Sequence, residues 1–184
     1  MLASNFFDMR CVHGDEELFL RLRADVLPRA RDNKIFIAYL AAHALQNRPP
    51  LGFFRNLVLI GEGDHANSFD LKHRGIIPIV DLARVHALSS GLTEIGTRER
   101  LQAAAGSSAL SREGAANLED ALEFLSSLRA RHQSNQIKRG EPPDNYVQPE
   151  ELSPLERNHL KDAFEVIVTV QKTLAQRYQV GRLV

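Results

Sequence analysis

"RARHQSNQIKRGEPPDNYVQPEELSPLERNHLKDAF", residues 129–164, contains the end of one helix, a proline-rich loop and the start of the next. Within it, "SPLE" at 153–156 combines an N-cap Ser153, Pro154 at the first helical position and the capping-box acid Glu156. Leu160, Phe164, Ile167, Leu174 and Tyr178 follow at helical spacing and form the apolar stripe of a predicted final helix. Upstream, Gly140 and "EPP" stop a helix that runs from about Ser111 to Arg139, with Ser111 as its cap. Leu118, Leu122 and Leu125 share its apolar face.

That face changes character near its end. At about 100° per residue, His132 falls about 20° to one side of Leu125 and Gln136 about 20° to the other. An imidazole and an amide that continue a core stripe need hydrogen-bond partners, or each costs about 1–3 kcal/mol. Asp144 and Asn145 of "PDNY" are placed to fold back on them. Two readings follow: His132, Gln133 and Gln136 pin the loop, or they line a cleft that accepts a nucleotide base or a protein side chain. In the second, Arg131, with Arg157 and Lys161 of the last helix, supplies positive charge for phosphate. Asp70, Lys72, His73 and Arg74 form a second charged group, read first as a turn exit and second as a phosphate-contacting patch.

Working outward, Leu18, Leu22 and Val26 share a face of a helix from Asp15 to Leu27, which Pro28 is expected to end or kink. Ile35, Tyr39, Ala42 and Leu45 stripe a second helix, stopped by "RPP" at 48–50. A β-rich run at 57–60, glycines at 61 and 63, and Phe69–Leu71 predict a small hairpin. Helical spacing resumes in "IIPIVDLARVHALSSG" through Ile79, Ala83 and Ala87, with Pro78 in the first turn and Gly91 as the stop, and a shorter helix from Thr97 to Ala105 completes the set. The expected fold is mostly α, a helical bundle with a small β-hairpin insertion around residues 57–71.

The 184 residues carry 23 basic and 23 acidic side chains, so no net field favours nucleic acid or a membrane. One cysteine, Cys11, excludes an internal disulfide, and no apolar run reaches the ~20 residues a membrane-spanning helix needs. No export signal is legible, and a cytoplasmic location is expected. "GEGDHA" at 61–66 imitates a dinucleotide fingerprint, but the polar segment after it lacks helical periodicity, and a tight turn is the better reading. Cys11 and His13 have no second ligand pair at metal-site spacing. The chain has no G-x-S-x-G elbow and no Walker loop, and no two aspartates lie two residues apart.

Five segments in order, "FFDMRCVHGDEELFLRLR", "RPPLGFFRNLVLIGEG", "FDLKHRGIIPIVDLARVHAL", "LEFLSSLRARHQ" and "GEPPDNYVQPEELSPLERNHLKDAF", resemble the nucleotidyltransferase substrate-binding domain. This helical module is the C-terminal part of bacterial proteins in which a core similar to PII-uridylyltransferase often follows cyclic-nucleotide-binding and CBS modules. The resemblance implies an upstream transferase core with a Gly-Ser turn and metal-binding aspartates. The Gly106-Ser107 of this chain has no such aspartates behind it. Residues 1–14 are therefore expected to be a junction segment and residues 15–184 the helical module, without catalysis of its own. The apolar Phe6, Phe7, Met9 and Val12 of the junction are expected to pack on the module or on the core. Mg²⁺ and a nucleoside triphosphate are expected for the core alone. The implied partners are that core, the sensor modules, and a protein acceptor or nucleotide. The alternative role is a protein-interaction or dimerisation bundle, with a second copy of the chain as partner.

Overall fold

The computed structural model describes residues 6–52 and 54–179. Six α-helices dominate them: α1 (Glu16–Asp32), α2 (Lys34–Ala44), α3 (Ile77–Ser90), α4 (Thr97–Ala104), α5 (Arg112–Lys138) and α6 (Pro154–Tyr178). Two short strands, β1 (Phe69–Asp70) and β2 (Tyr146–Val147), pair antiparallel with Phe69 opposite Val147 and Asp70 opposite Tyr146. The molecule is mostly helical with a small two-stranded sheet, as its periodicity predicts. The described residues divide into two compact units, one of residues 6–46, 80–116 and 171–179, the other of residues 47–52, 54–79 and 117–170.

In the first unit, Asp15 caps α1 by accepting from the Glu17 N–H at 2.9 Å. Asn33 both closes α1, through its N–H to the Arg29 carbonyl, and opens α2 by accepting from the Phe36 N–H at 3.0 Å. Pro28 does not end α1, which continues to Asp32. Burial explains this: Leu27 and Ala30 are core residues, and their packing outweighs the about 3 kcal/mol that an interior proline costs.

The faces expected to be buried on these two helices are largely outside. Leu18 is 64% and Ile35 71% exposed, with Leu22 and Tyr39 also on the surface. On α2 the core takes Ile37, Leu40, Ala41 and Ala44 instead. That helix is apolar nearly all round, so its periodicity allows either stripe. Of residues 6–14, Phe7 is buried against Phe36, with ring centroids 5.6 Å apart, whereas Phe6, Met9 and Val12 are exposed. Residues 1–5 lie outside the described part.

The second unit holds the sheet. Its strand β1 lies in the predicted hairpin region, but the partner comes from the loop after α5 and not from Leu57–Ile60. The latter stretch instead bridges to Leu51 and closes its own loop, with Ile60 N–H to the Ser68 carbonyl at 2.9 Å and Asn67 N–H to the Ile60 carbonyl at 2.8 Å. Residues 62–67 are bend and turn, with Gly63 at φ +88°. A single π-helical turn, Lys72–Ile76, then leads into α3. Its Gly75 sits so close to Leu125 and Phe164 that a Cβ there would come within 3.3 Å of Leu125. Edge-to-face packing of Phe69 on Phe164, 6.1 Å between centroids, ties the sheet to α6.

Candidate functional site

The end of α5, the loop after it and the start of α6 are joined by a set of polar side chains. Helix α6 begins with the predicted capping box: Ser153 N–H donates to Glu156 Oε2 at 2.9 Å, and Glu156 N–H to Ser153 Oγ at 3.2 Å. Helix α5 begins on Ser111, which accepts from Gly114 N–H at 3.0 Å, and stops at Gly140, φ +76°.

His132, on the buried stripe of α5, places Nε2 3.0 Å from Asp144 Oδ1 and Nδ1 3.0 Å from Glu151 Oε2. Gln133 donates to the Asp144 carbonyl at 2.9 Å, and Gln136 accepts from the Asp144 N–H at 2.9 Å. Asn145 Oδ1 accepts from Arg129 Nε at 2.6 Å, while the Asn145 carbonyl accepts from Leu71 N–H at 2.9 Å and extends the sheet. The Asp144 carboxylate also accepts from Tyr146 N–H. Burial would raise the Asp144 carboxyl, but the bonds from His132, Tyr146 and Gln136 prevail and hold it below the usual range. These groups are a clamp: α5 side chains satisfy the loop, and the loop satisfies them.

Beside the clamp lies a cleft of about 350 Å³. Leu128, Val147 and Leu152 give it apolar surface, and His132 and Glu151 border it. Arg131 and Asn135 line it along one edge of α5, and Arg139, the first residue after the helix and four residues on, continues the row. Arg131 pairs with Glu156 at 2.5 Å, and Arg139 with Glu141 at 2.7 Å. The Arg131 guanidinium and the Ser153 N–H hold the Glu156 carboxyl down to about 2. Both arginines are about half exposed, so each pair is open to solvent.

Of the residues singled out in the sequence, His132, Gln133, Gln136, Asp144 and Asn145 meet in the clamp, and Arg131 lines the cleft with His132. Arg157 and Lys161 are half-buried on α6, and no bond joins either to the clamp among the described residues. Lys72 is exposed, Arg74 donates to the Arg48 carbonyl at 3.0 Å, and neither lines the cleft. Asp70 caps the π turn, accepting from His73 N–H at 2.9 Å. Sequence reading passes over Arg129, Asn135, Arg139 and Glu151. The first is one turn before His132 and the next two are one and two turns after Arg131, so helical spacing marks them; Glu151 carries no signal beyond its place in the loop.

The family model described as "Putative nucleotidyltransferase substrate binding domain" matches residues 34–178. The chain belongs to that family. No curated protein and no solved structure matches it. The match takes in the clamp, the cleft and every helix but α1, so both features belong to the substrate-binding domain itself. No helix among its described residues is long and apolar enough to cross a membrane, and no cluster of three or more His, Cys, Asp or Glu there could hold a metal ion.

The clamp's contribution is measurable in this substrate-binding domain. His132→Ala removes a buried ring bonded to two part-exposed carboxylates and is expected to lower unfolding free energy by about 1–3 kcal/mol in urea titrations. Asn145→Ala, which leaves Arg129 Nε unmet, is expected to fall in the same range of about 1–3 kcal/mol. Unchanged midpoints for both would mean that the loop is not clamped in solution.

Proposed function

We propose that the chain is a non-catalytic accessory module of a nucleotidyltransferase-like signalling protein, and that the cleft beside the clamp binds or positions the nucleotide or the acceptor. The observation that carries this reading is the division of labour along α5. His132, Gln133 and Gln136 fix the loop, while Arg131, Asn135 and Arg139 on the adjacent edge face an open cleft with apolar surface. Apolar surface suits a base or an apolar side chain, an amide suits a base edge or peptide group, and guanidinium groups suit phosphate or carboxylate. Membership of the family supports the accessory role. The cytoplasm is the compartment we assign, with the transferase core and sensor modules as partners in the parent protein.

Two measurements test this. Titration with nucleoside triphosphates, alone and with Mg²⁺, should give saturable binding. Asn135→Ala and Arg139→Glu should each weaken it about tenfold, equivalent to ~1.4 kcal/mol, without moving the unfolding midpoint. A protein acceptor, if that is what the cleft positions, should show the same two losses. Equal binding by wild type and both variants would remove the cleft from the mechanism. Incubation with labelled triphosphates, Mg²⁺ or Mn²⁺ and acceptor should give no product, since the chain has no Gly-Ser turn followed by paired aspartates. Metal-dependent turnover would sink the non-catalytic reading.

A second reading, an interaction or dimerisation module, is favoured by Leu18, Leu22, Ile35 and Tyr39, which expose large apolar surface on α1 and α2. Sedimentation velocity separates the two roles. A dimer abolished by the Leu18→Glu and Ile35→Glu pair supports association through these helices, and a monomer at all concentrations removes self-association.

A further inference from the structure

The charged side chains that line the cleft can all reach solvent, but two arginines of the first unit cannot. Arg84 is 5% and Arg100 2% exposed. A buried guanidinium persists only when its N–H groups and its charge are met. Each is held from one side by its own part of the fold: Arg84 Nη1 donates to Asp81 at 2.6 Å, and Arg100 Nε donates to the Glu94 carbonyl at 2.9 Å. Their remaining donors converge on the short piece of chain ahead of α1. Asp8 Oδ1 accepts from Arg100 Nη1 at 2.6 Å and from Arg84 Nε at 3.2 Å, Asp8 Oδ2 accepts from Arg84 Nη2 at 2.5 Å, and the Phe7 carbonyl accepts from Arg100 Nη2 at 2.9 Å.

The receptor and its occupant differ in how they are held. The arginines project from α3 and α4, and each has a partner outside the segment ahead of α1, Asp81 for Arg84 and the Glu94 carbonyl for Arg100. Asp8 belongs to an irregular segment whose residues 9–14 are mostly exposed, and its own side chain is one-third exposed. The buried Phe7 ring, the Phe7 carbonyl and the Asp8 carboxylate hold that segment as a two-residue hook. Without Asp8, three N–H groups would point at one vacated position, and two guanidiniums against Asp81 would leave a net charge of +1. That combination suits a singly charged oxyanion.

We infer that Arg84 and Arg100 form an oxyanion seat that the Phe7–Asp8 hook fills in cis, and that withdrawal of the hook opens it to a carboxylate- or phosphate-bearing ligand. Hook and ligand exclude each other, so occupancy of the seat controls attachment of the segment ahead of α1, and attachment controls occupancy by the same factor.

Chemical rescue in the whole chain tests this. Asp8→Gly should melt below wild type. Formate or acetate in one arm, and inorganic phosphate in the other, should raise its melting temperature saturably, where chloride at equal ionic strength does not. Rescue by phosphate alone identifies a phosphoryl ligand, and rescue by formate or acetate alone a carboxylate. Wild type, whose seat is filled, should show no such rise, and adding Arg100→Lys to Asp8→Gly should abolish the saturable part. Rescue no greater than that by chloride, or an equal rise in wild type, would overturn the proposal. Should Asp8→Gly not fold in chloride, its refolding yield in phosphate or formate and the melting of Asp8→Ala give the same readout. Absence of any anion effect in both overturns it equally.

Discussion

Asp8→Ala is expected to lower the unfolding free energy by about 3–5 kcal/mol, a large share of the ~5–15 kcal/mol that holds a domain together. The magnitude follows from what is left behind. Arg84 and Arg100 stay buried with three N–H groups unmet and with Asp81 as their one remaining carboxylate partner. Removing one member of a buried charge cluster costs far more than the cluster adds when intact, because desolvation of the others is no longer offset. Burial would raise the Asp8 carboxyl, yet hydrogen bonds and charge from Arg84 and Arg100 hold it below 3.8. The stability that this contributes is present above pH 3.8 and is lost as pH falls through the lowered value. Arg139→Ala, which breaks an exposed pair with Glu141, should by contrast stay within about 0.5 kcal/mol of wild type. Urea unfolding at neutral pH compares the two. A loss below about 1 kcal/mol for Asp8→Ala would mean that the hook is not seated in solution.

The helices whose ends carry chemical punctuation are the ones that the sequence made legible. Ser153-Pro154-x-Glu156, Ser111, Gly140, Gly91 and Pro78 each stand within a residue or two of their expected roles. Where the sequence misleads, tertiary packing decides. Pro28 sits inside α1 because Leu27 and Ala30 are needed in the core, and α2 offers two apolar stripes of which periodicity alone cannot choose one. The strand pairing is illegible for another reason. Backbone hydrogen bonds between Phe69–Asp70 and Tyr146–Val147 join segments far apart in sequence, whereas a hairpin needs only neighbours.

The clamp was visible as two polar residues continuing a leucine stripe, since helical geometry fixes where His132 and Gln136 point. Its second carboxylate, Glu151, and the role of Arg129 required the path of the loop. The hook could not be read at all. Asp8 lies in an irregular start whose apolar Phe7 signals packing, but nothing in "FFDMR" names a partner, and Arg84 and Arg100 look like ordinary charged positions on helices. Burial separates them from the surface arginines, and burial is a property of the fold.

His86 shows the same limit and carries the second large effect. It is 1% exposed on α3, and neither ring nitrogen has a hydrogen-bond partner among the described residues. Burial, reinforced by the nearby charge of Arg177, pushes the imidazole down from 6.5 to about 4. Above pH 6.5 the ring is neutral in both folded and unfolded chains and adds no pH dependence. As pH falls from 6.5 towards 4, the unfolded chain takes up a proton that the folded one refuses, and stability drops. At ~1.4 kcal/mol per pH unit that interval removes about 3 kcal/mol, complete near pH 4. His86→Leu deletes both the titration and the unmet nitrogens. At pH 7.5 the variant should be at least as stable as wild type, and its advantage should grow by about 3 kcal/mol by pH 4. The carboxylates that also titrate at acid pH are present in both proteins and cancel in the difference. Urea midpoints at several pH values between 7.5 and 4 measure that growth. A difference that stays constant across the range would mean that His86 is bonded or hydrated in solution and that its burial does not oppose the proton.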